Sequence, residues 1–304
     1  MSELPRVRPR GTTIEPFPSS RRLVTSAVRA GRRIVPMHGL IEIDVTDALH
    51  QLGEHEPPLS VTAFFVASVG RAAARYPQVH AFRDWRGRLV LHRHVDVQTL
   101  IEVSTGQGPF ALVHVVRDAD VRSVASISAE LRAVKADHTT TSAGRLLDTL
   151  APAAGRIPGL FRVMFAVMSR SRRIRRATGT VAVTAVGMFG GGGGFAIAPP
   201  TLASLVIVIG GISKRPSVVE GQVEVRDIAD LTVTIDHNVV DGAPATRFTA
   251  ELRRLIHTAA VLQATPGPDR RHDRKGTLRV IPDYSAGRVA QGWWLGAASP
   301  RSAE

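Results

Sequence analysis

The segment from Leu231 to about Val261 constrains the fold of this chain more than any other part of the sequence. A strand-like run, Leu231–Ile235, is followed by the turn Asp-His-Asn-Val-Val-Asp-Gly and then by an amphipathic helix. The helix carries apolar residues at helical spacing, at Phe248, Leu252, Leu255 and Ile256. The pattern therefore predicts a strand, a turn with polar side chains, and a helix that buries one face.

The turn holds His237 and, four residues later, Asp241, which is backed by Gly242. An imidazole ring titrates near neutral pH, so it can accept a proton from a thiol or a hydroxyl group. Glycine adopts backbone angles that other residues avoid, which suits a tight turn, and a buried Asp241 would need a partner such as an arginine. The turn is therefore a candidate general-base site, although a histidine and an aspartate at a turn are more often an ordinary hydrogen-bonded pair.

Composition excludes several other classes of site. The 304 residues include no cysteine, which rules out disulfides, thiolate catalysis and cysteine metal ligands. No run of 18 apolar residues occurs, so we expect no transmembrane helix, and Met1–Ser20 has no apolar core typical of a secretory signal. With 44% hydrophobic and 21% charged residues, the chain has the composition of a globular protein.

Five further segments place the turn in a known family. Gly179–Gly190 is similar to G-T-F-T-I-S-N-L-G-M-F-G, and Ala198–Gly211 is similar to I-x-P-P-x-x-x-I-L-x-x-G. Arg21–Val24, Ile41–Thr46 and Leu59–Ala67 resemble the first helix, the first strand and the following helix. With the turn, whose usual form is D-H-R-x-x-D-G, they resemble the catalytic domain of 2-oxo acid dehydrogenase acyltransferases, in the chloramphenicol acetyltransferase-like superfamily. The resemblance covers roughly Arg21 to Val261, in order.

The resemblance implies a fold and a mechanism. The implied fold is α/β in two layers, chloramphenicol acetyltransferase-like, with a mixed sheet and helices on one side. The implied enzyme is a CoA-dependent acyltransferase in which His237 is the general base and the Thr184 hydroxyl donates to the oxyanion. Asp241 is then structural, through a buried ion pair with Arg21 or, as the alternative, Arg22, and Gly242 is a structural residue of the site. Coenzyme A enters as a substrate with no binding residues assigned, and we expect neither a metal nor a covalent acyl-enzyme.

The resemblance also implies partners. The family's active site lies between subunits of a trimer, so we expect a homotrimer or a multiple of trimers, with His237 and Thr184 supplied by neighbouring chains. No lipoyl-type domain, subunit-binding domain or long Ala/Pro linker precedes the catalytic region, so we expect a stand-alone enzyme without a lipoyl attachment site. Its acceptor is then a lipoyl group on another chain or a different thiol or hydroxyl. A small-molecule O-acetyltransferase of the same fold and a non-catalytic scaffold or binding protein remain the alternatives.

Three features depart from the family pattern. Asn238 and Ala185 replace an arginine and an Asn or Ser, and we expect them to affect substrate fit. Gly190–Gly194 lacks the spacing of a phosphate-binding loop, and we expect a mobile loop after the preceding strand. Residues 139–177 form a divergent insert with an apolar run followed by Arg170–Arg176. We expect 157–176 to pack on the domain or a neighbouring subunit, with contact to a membrane surface as the weaker alternative.

The chain is strongly basic. It has 39 Lys and Arg against 26 Asp and Glu, a net charge of +13, which attracts anions. Coenzyme A carries three phosphate groups and is one such anion. No zinc-finger spacing or aromatic RNA-binding stretch accompanies the arginines, so nucleic-acid binding is the weaker alternative, and high arginine can also reflect base composition.

Composition shifts divide the chain into three regions. Residues 1–19 are predicted to be a flexible leader, 20–265 the catalytic domain, and 266–304 a mostly disordered tail. The absence of cysteine and of a signal sequence fits a cytoplasmic protein.

Overall fold

The fold is built on a six-stranded sheet. The computed structural model describes residues 25, 28–29, 31–105, 108–137, 166–167, 170–186 and 192–263. The chain divides into two units, Met1–Pro268 and Asp269–Glu304, and every described residue belongs to the first. The predicted leader, the predicted tail, Arg21, Arg22 and most of the divergent insert lie outside the described residues.

Strands and helices occur in groups along the described chain. The strands are β1 (Pro36–Asp44), β2 (Phe82–Arg83), β3 (Leu89–Val90), β4 (Val97–Thr105), β5 (Gly108–Val116), β6 (Val181–Ala185), β7 (Leu205–Val219) and β8 (Gln222–Asp236). The helices are α1 (Thr46–Gly53), α2 (Val61–Arg75), α3 (Val124–Ala136), α4 (Arg172–Thr178), α5 (Gly242–His257) and α6 (Ala260–Gln263). A 3-10 turn, Pro77–His80, follows α2, and β2 and β3 form a small hairpin of their own.

The large sheet is mixed, in the order β1-β8-β7-β6-β4-β5. β6 runs parallel to both β4 and β7, whereas the pairs β1–β8, β7–β8 and β4–β5 are antiparallel. The predicted α/β fold with a mixed sheet is confirmed.

The two faces of the sheet differ because strand side chains alternate. On β8, Leu231, Val233 and Ile235 join the main hydrophobic core with helices α2 and α5, and Val181 and Val183 of β6 do the same. The opposite face is polar on β8, where Asp230, Thr232 and Thr234 are buried. Part of that face is covered by a smaller apolar cluster around Val206 and Val208, against which Ala196 and Ala198 pack.

Two element boundaries differ from those that the sequence pattern predicts. The pattern predicts separate strands at Gln222–Val225 and Leu231–Ile235, but β8 is one strand of 15 residues. Its central part is polar because charged contacts replace the core there: Arg226 pairs with Asp44 at 2.8 Å, on neighbouring β1. Apolar residues at helical spacing predict a helix over Asp118–Lys135, but α3 begins at Val124, where the Ser123 hydroxyl accepts a hydrogen bond from the Ser126 amide.

The sequence also predicts a helix that Ser60 caps and that ends at about Tyr76, before Pro77, and the structure confirms it. The Ser60 hydroxyl accepts a hydrogen bond from the Ala63 amide and begins α2, which ends just before Pro77. Within the described ranges, none of the helices has the length and apolar character needed to cross a bilayer.

Candidate active site

The candidate base lies on a turn that joins β8 to α5. β8 ends at Asp236, and the Val239 and Val240 amides both donate to the Asp236 carbonyl, at 3.0 and 3.1 Å. The Val240 side chain is 3% exposed and packs into the main core. The turn around His237 is therefore held from both ends, by backbone hydrogen bonds and by a buried apolar anchor.

The Asp236 carboxylate ties this turn to the chain that precedes β1. Its Oδ1 accepts hydrogen bonds from the Val35 amide at 3.3 Å, the Asn238 amide at 3.0 Å and the Asn238 side-chain amide at 2.8 Å. The Asn238 side chain also donates to the Arg33 carbonyl, and the His237 amide donates to the Val35 carbonyl. Asn238 thus holds the turn in place. The sequence showed only that Asn238 stands where the family pattern has an arginine, and it did not predict this structural role.

The His237 ring is half-exposed and faces Asp241. The side chain of His237 is 49% exposed, and its Nδ1 lies 3.9 Å from Asp241 Oδ1, too far for a hydrogen bond. Asp241 is 74% exposed, so the expectation of a buried carboxylate is wrong for the single chain, and its pairing with Arg21 falls outside the described residues. Asp241 stands at the N-cap of α5, without accepting a capping hydrogen bond.

The backbone conformation at Gly242 is an ordinary one. It is the first residue of α5, its φ is not positive, and an added Cβ would meet nothing within 4 Å. The described backbone at Gly242 therefore does not use the angles that make glycine suited to a tight turn, and its structural role at the site stays a prediction.

Thr184 lies on β6, away from the histidine turn. It is 9% exposed, and it pairs with Val208 of β7, which in turn pairs with Thr232 of β8. β8 ends at Asp236 and His237 follows it, five residues after Thr232, so strand geometry puts the two sites roughly 17 Å apart along the strands and about 10 Å across them. The same chain therefore does not bring Thr184 and His237 together.

The glycine-rich segment is fixed where the structure describes it. The Gly194 amide donates to Asp230 Oδ2 at 2.6 Å, and the Gly194 carbonyl accepts from the Gly211 amide at 2.9 Å. A Cβ on Gly193 would overlap the Arg215 guanidinium and approach the Ser213 hydroxyl, so a larger residue there requires these side chains to move. Gly190 and Gly191 lie outside the described residues, and the mobility of the loop stays a prediction.

Asp230 is the centre of that contact. Its side chain is fully buried on the face of β8 that carries Thr232, and Arg215 donates to its Oδ2. Arg215 also donates to Glu42 at 2.7 Å, whereas Asp230 Oδ1 has no partner among the described residues. The sequence analysis missed this pair, because an Asp and an Arg fifteen residues apart carry no local signal.

Two arginines of the predicted basic cluster contact their own chain. Arg172 donates to Asp84, whose side chain is buried, at 2.8 Å. Burial would raise the pKa of Asp84, but hydrogen bonds from Arg88 and Arg172 hold it well below its usual range. Arg175 is 3% exposed and donates to the Leu202 carbonyl and the Ser204 hydroxyl. At least these two arginines are used inside the fold.

One other cluster contains side chains of the types that bind metal ions. Ligand atoms of His94, Asp118 and Asp120 lie within 4.8 Å of one another, in the only such group that the described residues form. Asp120 Oδ1 already accepts a hydrogen bond from the Val95 amide at 3.1 Å. The expectation that the chemistry needs no metal stays a prediction.

The described residues define a two-layer α/β protein, in which a mixed sheet packs against helices and a histidine turn follows an inner strand. A family model, described as 2-oxoacid dehydrogenases acyltransferase (catalytic domain), matches residues 10–145 and 170–263. The chain belongs to this family, which confirms the resemblance seen in the sequence and, at the level of the family, the prediction of a transferase.

Individual relatives agree with this membership. The chain is 26% identical over 243 residues to the lipoamide acyltransferase component of a branched-chain alpha-keto acid dehydrogenase complex of Pseudomonas putida, covering 77% of this chain and 49% of that protein. It is 27% identical over 219 residues to the dihydrolipoyllysine-residue succinyltransferase component of the Escherichia coli K12 2-oxoglutarate dehydrogenase complex, covering 70% and 45%. The chain thus spans about half the length of these curated relatives.

Solved structures show the same fold. A probable dihydrolipoamide acetyltransferase from Listeria monocytogenes matches with a TM-score of 0.60 at 18% identity, covering 84% of this chain and 99% of that one. The dihydrolipoamide acetyltransferase of Azotobacter vinelandii matches with a TM-score of 0.61 at 17% identity, covering 87% and 100%.

Proposed function

We propose that this chain transfers an acyl group between a coenzyme A thioester and a thiol or hydroxyl acceptor, with His237 as the general base and no covalent acyl-enzyme. One observation carries the proposal: a half-exposed imidazole stands on a backbone turn that hydrogen bonds and a buried valine hold in place. A base must be fixed relative to the proton that it removes, while its ring must remain accessible to the substrate. The His237 turn meets both requirements.

The oxyanion that forms during acyl transfer needs a hydrogen-bond donor. Thr184 is the proposed donor, on the strength of the family pattern around β6. Its separation from His237 within one chain, close to 20 Å by strand geometry, favours a site made by two copies. We therefore propose a homotrimer or a multiple of trimers, in which each site takes His237 from one chain and Thr184 from the next.

The proposed acceptor is a thiol or a hydroxyl group. The Pseudomonas putida relative is a lipoamide acyltransferase component, so a lipoyl group carried by another chain is the first candidate for a thiol acceptor. A small-molecule hydroxyl is the second candidate, because Asn238 and Ala185 depart from the family pattern. Coenzyme A is proposed as a substrate, with no residues assigned to binding it, and a cytoplasmic location stays a prediction.

Release of free thiol from acetyl-CoA, measured with a panel of dithiol and hydroxyl acceptors, tests this function. With a responsive acceptor, His237→Ala should lower kcat by roughly 10²–10⁴-fold, the usual contribution of a positioned acid or base. His257→Ala is a matched control, since His257 is an exposed histidine at the end of α5. An unchanged rate in the His237 variant would reject the assignment, and no acceptor-dependent rate in the unaltered protein would favour a scaffold.

A further inference from the structure

Arg175 is the most buried positive charge in the part of the chain that the structure describes. It lies on α4, with 3% of its surface exposed. Its Nη1 donates to the Leu202 carbonyl, its Nη2 donates to the Ser204 hydroxyl at 3.2 Å, and its Cζ lies 4.7 Å from the centre of the Phe82 ring. No carboxylate of the described residues forms a direct ion pair with it. Removing a charge from water costs free energy, so a buried guanidinium without an ion-pair partner calls for an explanation.

The contacts of Arg175 lead directly to the histidine turn. Ser204, whose hydroxyl Arg175 binds, accepts a hydrogen bond from the Asp236 amide on its carbonyl at 2.9 Å. Asp236 is the last residue of β8, and its carboxylate holds the turn that begins with His237. Burial lowers the pKa of Arg175 to about 10, and the negative charge of Asp236 acts in the opposite direction. The Arg175 guanidinium therefore interacts with Asp236 in two ways, by electrostatic attraction and through the hydrogen bonds of Ser204.

The chemistry of the side chain suits this place. Arginine offers several donors in a rigid plane, so it can hold the Leu202 carbonyl and the Ser204 hydroxyl at once while stacking on an aromatic ring. A lysine ammonium would keep the charge but not this geometry. The exposed Arg173, on the same helix, has no such contacts in the described structure.

We propose that Arg175 is a positioning residue for the His237 base: it fixes the Leu202–Ser204 segment beneath Asp236 and offsets part of the Asp236 charge. This inference rests on the proposed function, in which His237 removes the acceptor's proton. Arg175 is thus the member of the basic cluster that reaches the backbone next to the base.

Steady-state kinetics of Arg175→Met against the exposed control Arg173→Met tests the proposal. A small displacement of a catalytic group can cost about 10²-fold, so kcat of the Arg175 variant should fall by roughly 10–100-fold, with KM for acetyl-CoA changing by less than about threefold. The Asp236 charge, no longer offset, should favour the protonated ring, so the acidic limb of the rate profile should move to higher pH. Asp241, 3.9 Å from the ring, is the same in both proteins.

Two milder variants keep the test decisive if Arg175→Met folds poorly. Arg175→Lys should restore the position of the acidic limb, because the charge returns, but only part of kcat. Ser204→Ala removes the hydroxyl link alone, and kcat should fall several-fold, to the order of one lost hydrogen bond. Folded protein with wild-type kcat and an unmoved pH profile in all three variants would overturn the proposal. A drop in kcat matched by an equal loss of folded protein would do the same.

A second readout separates this inference from the proposed function. The Asp236 amide hydrogen exchanges only when its bond to the Ser204 carbonyl opens, so its exchange rate should rise in Arg175→Met and not in Arg173→Met. That result is independent of any acceptor. If the unaltered protein has no acyltransferase activity, the function fails; if activity is present and the Asp236 amide is unaffected by loss of Arg175, only the positioning role fails.

Discussion

At the scale of single residues, the site is a set of side chains whose positions are set by their neighbours. His237 has few contacts of its own, but Asp236, Asn238 and Val240 around it are bonded or buried. The two proposed catalytic groups, His237 and Thr184, can be picked out from the sequence because they fall in recognisable patterns. The sequence could not predict the exposure of Asp241, the ordinary backbone of Gly242 or the structural role of Asn238, since these depend on contacts between distant segments.

Thr184 provides a test of the oxyanion donor. Thr184→Ala should lower kcat by about 10²-fold or more with a smaller effect on KM, whereas Thr184→Ser should keep much of the activity because the hydroxyl remains. Thr180→Ala is a control from the same segment: it also removes a buried hydroxyl, one that bonds the Asp96 carbonyl at 3.3 Å. Equal rates for the Ser and Ala variants of Thr184 would show that the hydroxyl is not the working group.

His80 makes stability depend on pH. It is 1% exposed, neither ring nitrogen has a partner among the described residues, and burial, with the nearby His92, lowers the pKa of His80 to about 3. An unfolded histidine titrates near 6.5, so between pH 6.5 and about 3 the unfolded chain binds more protons than the folded one. The free energy of unfolding should therefore fall on acidification, by up to about 1.4 kcal/mol per pH unit.

Replacement of this ring should remove that dependence. Urea unfolding at pH 6.5 and pH 4.5 should show a loss up to about 2–3 kcal/mol larger in the unaltered protein than in His80→Leu. His55→Leu, at an exposed position on the surface, should behave like the unaltered protein. Parallel acid curves for His80→Leu and the unaltered protein would contradict the assignment of a buried neutral histidine.

At the scale of elements, the sequence predicts a strand or helix correctly where its apolar residues recur without interruption. It fails where charged residues take the place of apolar ones. The core half of β8, helix α2 with its Ser60 cap, and the amphipathic α5 all follow from pattern alone. The outer halves of β7 and β8 do not, because they form an exposed ribbon in which Val218, Val223 and Val225 are 74%, 75% and 69% exposed. Ion pairs such as Arg226 with Asp44 link this ribbon to β1.

The contact between β8 and the glycine segment is a test at this scale. Asp230→Asn removes the buried charge to which Arg215 donates, while Arg215 keeps its ion pair with Glu42 and its contact with water. The melting temperature should therefore fall, and by more than for a variant in a surface ion pair. Exchange of the Gly194 amide hydrogen should accelerate in the same variant. Gly193→Ala should lower the melting temperature as well, to the extent that its methyl group displaces the Arg215 guanidinium from Asp230.

Lys214 supplies the control. It lies next to Arg215 on β7 and pairs with Asp227 at 3.3 Å, with 72% of its side chain exposed. Lys214→Met should change stability by about 1 kcal/mol or less, as expected for a surface pair. Similar melting temperatures for the Asp230 and Lys214 variants would show that the glycine segment does not depend on the buried pair.

At the scale of the whole molecule, the central claim is that one chain carries only half of each site. The chain belongs to an acyltransferase family, but within one chain His237 and Thr184 lie on different parts of the sheet. The exposed Asp241 fits the same view, since a second copy can cover what one chain leaves open. Closed cyclic symmetry repeats one interface and makes as many sites as chains.

Subunit complementation measures this claim most directly. His237→Ala and Thr184→Ala chains, each inactive alone, are mixed in equal amounts under conditions that exchange subunits. If each site takes the histidine from one chain and the threonine from its neighbour, random assembly leaves both residues intact at about one site in four, so activity should recover to about a quarter of that of the unaltered protein. An active monomer, or no recovery after subunit exchange has been verified by mass spectrometry of mixed trimers, would contradict the shared site.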